Sequence, residues 1–162
     1  MYKSGEFVVK AGFGILEVMG VESMSVMPSS PKQDYYKLVT VDGKVSVNVP
    51  VSRAQVILRP IMDENSAKEI IKNVLAYKTE WIPDEKARRK KFDELSAGGR
   101  EDNLALIGTA YKRIKDGKNL SYFERSSLET AEKKVFGEIA FVLKISVDEV
   151  RTQALINSGL SC

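Results

Sequence analysis

The sequence predicts an α+β chain with its two kinds of element segregated: a small β-barrel over residues 1–62, then an all-α helical bundle over 63–162. Two observations predict this. Residues 1–60 hold short β-branched and aromatic runs punctuated by Gly and Pro, the composition of strands and turns. From Asn65 onward the apolar residues recur at spacings of three and four, the period of helices. The chain has 162 residues, 43% apolar and 29% charged, so a packed core is expected and global disorder is not.

The strands come first. Phe7-Val8-Val9, Gly14 to Val21, Tyr35 to Val41 and Lys44 to Val49 read as four of them, and Gln55 to Leu58 as a short fifth. Asp42-Gly43 lies between the third and fourth and predicts a two-residue hairpin, because Asp-Gly supplies the positive φ that such a turn needs. In the fourth strand Val45, Val47 and Val49 alternate with Ser46 and Asn48, giving one apolar and one polar face. Residues 22–34 carry two Pro and four Ser and are expected to form a surface loop. Gly12 and Gly14 fit a tight turn between the first two strands and lack the spacing and following helix of a phosphate loop. Closing five short strands into a barrel removes their exposed edges.

The helices follow. Residues 66–77 place Ile70, Ile71, Val74 and Leu75 on one stripe. A second helix is expected from Pro83, with Asp84 and Glu85 in its first turn, to Ala97, where Gly98-Gly99 stop it. Its apolar residues are Ala87, Phe92 and Leu95. The third covers 101–115 with Leu104, Ile107, Tyr111 and Ile114 inward, and residues 116–119 turn the chain. Ser121 with Glu124, and Ser146 with Glu149, are capping boxes opening helices at 122–143 and 147–157. The first of these buries Leu128, Ala131, Val135, Ile139 and Val142. Gly108 and Gly137, inside helical patterns, are expected to allow close packing.

Composition narrows the function. The chain has no His, which removes His-based triads, His general bases and His-ligated zinc. Its only Cys is Cys162, so no internal disulfide is expected and a reducing, cytoplasmic location fits. The first residues, MYKSGEFVVKAGFG, read as a strand rather than a signal peptide, and no apolar run reaches membrane-span length. The carboxylate pairs Asp63-Glu64, Asp84-Glu85, Asp93-Glu94 and Glu101-Asp102 fall where helix ends and turns explain them. Phe123, Phe136 and Phe141 fit core packing. Neither an enzyme, a metal site nor a cofactor is expected.

What remains is charge. Lys plus Arg number 25 against 22 Asp plus Glu, a net charge of +3. Residues 86–91 alone hold Lys86, Arg88, Arg89, Lys90 and Lys91, and at 100° per residue these wrap much of the helix. The cluster fits a phosphate-binding face. It fits equally a solvated helix whose charges pair with Asp84, Glu85, Asp93 and Glu94. Trp81, the only Trp, lies just before it. There it fits either a wedge or stacking platform for bases, or a filler between barrel and bundle.

The ordered set of segments resembles the CarD-like (CdnL) family of bacterial RNA polymerase-binding transcription regulators. Its parts are G-E-F-V-V at 5–9 with the glycine turn after it, D-Y-Y-K-L at 34–38, V-N-V-P-V at 47–51 and V-I-L-R-P at 56–60. E-W-I-P-D-E-K-A-R-R-K-K-F at 80–92, S-A-G-G-R-E at 96–101, L-S-Y-F-E-R at 120–125 and A-E-K-K-V-F-G-E-I-A-F-V-L at 131–143 complete it. The resemblance implies a Tudor-like N-terminal domain that binds the polymerase β subunit. It also implies a helical domain that contacts promoter DNA at the upstream edge of the transcription bubble and stabilises the open complex. On that basis Trp81 matches the family's minor-groove wedge. Lys86, Arg88, Arg89 and Lys90 match its phosphate contacts, and Val45, Ser46, Val47, Asn48 and Val49 match the polymerase-binding strand. Asn48 stands where many members carry a basic residue, and Ile82-Pro83-Asp84 intervene between the Trp and the basic run. The implied partners are the β subunit and promoter DNA, with a monomer when free. A protein–protein adaptor without DNA contact, or an SH3-like RNA- or ribosome-associated module, is the alternative.

Overall fold

A computed structural model describes residues 1–160 of the chain; Cys162 lies outside the described residues. The chain is mixed α+β and divides into two compact units, Met1–Ile61 and Met62–Cys162.

The first unit is a five-stranded antiparallel sheet. Its strands are β1 (Phe7–Lys10), β2 (Gly14–Met24), β3 (Gln33–Thr40), β4 (Ser46–Pro50) and β5 (Leu58–Pro60), in the order β4-β3-β2-β1-β5. The sheet is open: β4 pairs only with β3 and β5 only with β1, so these two are its edges. Val8, Leu16, Val18, Tyr36, Leu38, Val49, Ala54 and Leu58 form its buried core. In β2, β3 and β4 they alternate with less buried neighbours, among them the exposed Met19, Lys37 and Asn48, which is the period-two pattern of strands with one wetter face. Met19 has no partner between the pairs Val18–Leu38 and Gly20–Lys37, which makes a β-bulge in β2.

Three local expectations need correcting. The loop expected at 22–34 is shorter, because Glu22, Ser23 and Met24 pair with Tyr35, Asp34 and Gln33. Polar residues suit a ladder exposed to water, and the Ser23 hydroxyl donates to Asp34 there. The turn at Asp42-Gly43 is part of a longer loop: Val39 pairs with Ser46, and the Thr40 amide donates to the Val45 carbonyl at 2.9 Å. The Asp42 carboxylate explains the longer loop, accepting from the Thr40 hydroxyl at 2.6 Å and the Lys44 amide at 3.0 Å. Gly43, at φ +75°, supplies the left-handed residue. Finally, Gln55 to Leu58 is not a strand. Ala54–Ile57 is a short helix, α1, and the edge strand follows at Leu58–Pro60, where Pro60 ends the ladder.

The second unit is helical throughout its regular elements: α2 (Glu64–Lys72), a 3-10 turn at Val74–Tyr77, α3 (Glu85–Ala97), α4 (Arg100–Lys115), α5 (Tyr122–Leu143) and α6 (Val147–Asn157). Side-chain caps start most of them. Asp63 accepts from the Ser66 amide at 2.7 Å, and that bond first of all holds its carboxyl below the usual range. Asp84 accepts from the Ala87 amide at 2.8 Å, which makes Asp84 the cap of α3 and places Pro83 before the helix instead of inside it. Ser121 and Glu124 form a complete capping box, whereas at Ser146 only the serine half is made. The helix expected over 66–77 breaks at Asn73, whose non-helical backbone ends α2 and leads into the 3-10 turn.

Ile70, Ile71, Val74, Phe92, Leu95, Leu104, Ile107, Tyr111, Leu128, Ala131, Val135 and Ile139 all lie in the core of this unit, each large apolar one contributing about 1.5–3 kcal/mol. Ile114, expected inside, is exposed because α4 is ending there. Gly108 allows close packing as expected: a Cβ on it would lie 2.8 Å from the Lys78 nitrogen and the Val74 carbonyl. Gly137 has open space beside it and serves no such purpose.

Candidate nucleic-acid interface

Helix α3 divides its basic residues by face. Phe92 and Leu95 are buried, and Arg88, four residues before Phe92, lies on the same stripe. Lys86, Arg89, Lys90 and Lys91 are exposed. Among the described residues no carboxylate lies within ion-pair distance of these four, so pairing with Asp84, Glu85, Asp93 or Glu94 does not account for them. Arg89 rests its guanidinium 4.4 Å from the centre of the Phe123 ring.

Arg88 does something else. Its Nε donates to Glu124 at 2.8 Å, and the two side chains are only 16% and 6% exposed. One of its terminal nitrogens donates to the Ile82 carbonyl at 2.9 Å and the Pro83 carbonyl at 3.1 Å. One side chain thus ties the segment before α3 to the first turn of α5. A guanidinium suits this work because its donors fan out in a fixed plane.

Trp81 is half-buried and packs on the core of the helical unit, edge-on to Phe92 with ring centres 5.9 Å apart. Two guanidinium groups lie over its ring, Arg88 at 4.7 Å and Arg113 at 4.3 Å. The indole is therefore a cation-bearing platform fixed to the bundle. The structure brings Trp81 together with Arg88 directly. Lys86, Arg89 and Lys90 share its helix neighbour, on the solvent side.

Beside Trp81 is a cleft of about 270 Å³ lined by Lys78, Thr79, Glu80, Thr109, Lys112, Arg113 and Asp116. Its wall is rigidly built. The Thr109 hydroxyl donates to the Ala105 carbonyl at 2.7 Å and accepts from the Thr79 amide at 2.8 Å. Sequence reasoning missed Arg113 and Lys112 because basic residues in a last helical turn already have a local explanation at the helix C-terminus, and Lys78 because no pattern marks it. Lys112 and Arg113 do sit in the last turn of α4.

The other set of predicted residues lies on the open edge of the sheet. Ser46 and Asn48 are exposed, Val49 is buried, Val47 is half-buried against the core, and Val45 precedes β4 in the loop, exposed. Among the described residues no cluster of His, Cys, Asp and Glu converges as a metal site, and no helix is long and apolar enough to cross a membrane. Neither a protein-family model nor a curated protein matches this chain.

Proposed function

We propose that this chain is a transcription regulator that binds the β subunit of RNA polymerase and stabilises the open promoter complex by contacting DNA at the upstream edge of the transcription bubble. The observation that carries this is the face of exposed, unpaired cations on α3, Lys86, Arg89 and Lys90 with Lys91, beside the half-buried Trp81. Cations without carboxylate partners are available to phosphates, and their counterions are released on binding. An aromatic ring beside them supplies stacking or a wedge, which reports whether bases are open. Arg88, held by Glu124 and by the Ile82 and Pro83 carbonyls, supports this site by fixing Trp81.

The resemblance to CarD-like regulators supplies the polymerase partner, and an edge strand supplies a means. On this reading the N-terminal unit is Tudor-like, and β4, an edge of its open sheet, receives a strand of the β subunit, whose backbone pairs with the unpaired side of Ser46–Pro50. Tethering raises the local concentration of the helical unit at the promoter, so weak intrinsic DNA binding suffices. A group that binds only the opened fork shifts the open–closed equilibrium by its differential affinity. The protein works in the cytoplasm, as a monomer until it meets polymerase.

The test has two arms. A polymerase β-subunit lobe should retain the wild-type chain in a pull-down and retain Asn48→Asp less well; no complex with either sinks the proposal. Trp81→Ala should keep that interaction and shorten open-complex lifetime roughly tenfold, about 1.4 kcal/mol, within the range of one base–aromatic contact. An unchanged lifetime removes the wedge. The guanidiniums over Trp81 favour a second reading, an adaptor in which the ring is purely structural. In that case reversing charge at Lys86 and Lys90 leaves activity untouched. Salt-dependent binding to structured RNA without polymerase would instead mark an RNA module.

A further inference from the structure

The two guanidiniums over Trp81 are held differently. Arg88 is locked by Glu124 and two backbone carbonyls. Arg113 is not: its Nε is buried without a hydrogen-bond partner, and among the described residues it forms no ion pair. It lines the cleft together with Lys78, Lys112, Thr79 and Thr109. A cation that leaves a donor unsatisfied and rests on a ring is poised to trade that ring for an anion.

We infer that this cleft is a binding site for one unpaired nucleotide, with the base on Trp81 and its phosphate on Arg113 and Lys78. Arg113 covers the indole in the free protein and leaves it for the phosphate when the base arrives. Several observations select this ligand. An aromatic ring beside cations and hydroxyls matches a base joined to a phosphate, the combination used to hold single strands. At about 270 Å³ the cleft has room for a base. Its wall is fixed, because Thr79 is bonded to Thr109 and the backbone at Lys78 lies against Gly108. Paired bases are stacked inside the duplex and cannot enter a cleft, so the site discriminates in favour of opened DNA. Two acids also line it. Asp116 is neutralised by Lys112 at 2.8 Å, and Glu80 is exposed and opposes a phosphate.

This inference rests on the nucleic-acid reading of the chain, and one experiment separates their failures. Trp81 is the only Trp, so the indole fluorescence of the chain comes from the ring beside the cleft. The full chain is titrated at low salt with a short oligothymidylate and with a duplex of the same length, with DNA binding read separately from the anisotropy of a labelled strand. The single strand should quench Trp81 and the duplex should not. Arg113→Gln should weaken single-strand binding at least fivefold and leave duplex binding unchanged, whereas Lys90→Glu should weaken both alike. Glu80→Gln, which removes the opposing charge, should tighten the single strand about twofold and confirms the cleft even if Arg113→Gln perturbs the fold. If DNA binds but Trp81 is not quenched, or if Arg113→Gln affects both DNAs equally or neither, the cleft is overturned and the basic face stands. If neither DNA binds, both are overturned.

Discussion

Arg88 and Lys90 sit two residues apart on one helix and have opposite fates, decided by the helical period. A residue four before Phe92 and seven before Leu95 faces the core, and Arg88 is that residue. Lys86, Arg89 and Lys90 fall on the other side and meet water. Along the sequence Arg88 belongs to the basic run, and the resemblance to CarD-like regulators matches it, with Lys86, Arg89 and Lys90, to a phosphate contact. The spacing to Phe92 was the signal that separated them. Its partner was not legible, since Glu124 is remote in sequence and already has a local explanation as half of a capping box. Both roles are real: Glu124 closes the cap through one oxygen and binds Arg88 through the other. Breaking a buried pair leaves an uncompensated charge, which costs about 3–5 kcal/mol. Arg88→Ala should therefore lower unfolding free energy by about 3 kcal/mol in urea titration, whereas Lys90→Ala should change it by less than about 0.5 kcal/mol. Equal effects would mean that Arg88 is an ordinary surface cation.

Helix α5 shows why an element's apolar stripe was readable and its fastening was not. Leu128, Ala131, Val135 and Ile139 are buried as their spacing required. Three glutamates of the same helix are buried too. Glu124 fastens α3 through Arg88; Glu132 accepts from the Tyr111 hydroxyl of α4 at 2.5 Å and from Arg151 of α6 at 3.2 Å; Glu138 accepts from the Met62 amide at 2.9 Å. A glutamate in a helical pattern reads as surface, so none of these was identifiable before its partners were placed. Burial pushes the Glu132 carboxyl above its usual range, and the Tyr111 bond and the Arg151 charge only partly oppose this, with Glu129 adding repulsion. The folded chain thus binds this proton more tightly than the unfolded chain does. The stability contributed is fully present below the ordinary glutamate pKa, about 4.3, and is lost as pH rises through the folded value. Glu132→Gln keeps an acceptor for Tyr111 and cannot titrate. Urea titrations from pH 4 to pH 7 should show the wild type losing stability relative to this variant as pH rises. Parallel profiles would show that Arg151 and Tyr111 fully compensate the burial.

For the whole molecule, net charge misled because it is an average. A chain at +3 with 25 basic and 22 acidic residues looks too neutral for a nucleic-acid partner. The basic run at 86–91 was legible in the sequence as the local exception, but its split into a supporting arginine and an exposed face was not, because that needs the positions of Phe92, Glu124 and the 82–83 carbonyls together. The sheet was legible as strands and its openness was not, since pairing at the edges depends on where Leu58–Pro60 lands. Localised charge has a measurable signature that an even spread lacks. Each phosphate neutralised on duplex DNA contributes about −0.9 to the slope of log Kobs against log salt. If Lys86, Arg89, Lys90 and Lys91 each meet one phosphate, the slope for the free chain on duplex DNA is about −3.6. Lys90→Gln should make it shallower by about 0.9. Lys3→Gln removes the same charge from an exposed position in the first unit and should leave the slope unchanged. Equilibrium binding measured between about 50 and 200 mM salt decides the matter. If the two variants shift the slope equally, the protein attracts DNA through its diffuse net charge, and α3 has no special claim on the phosphates.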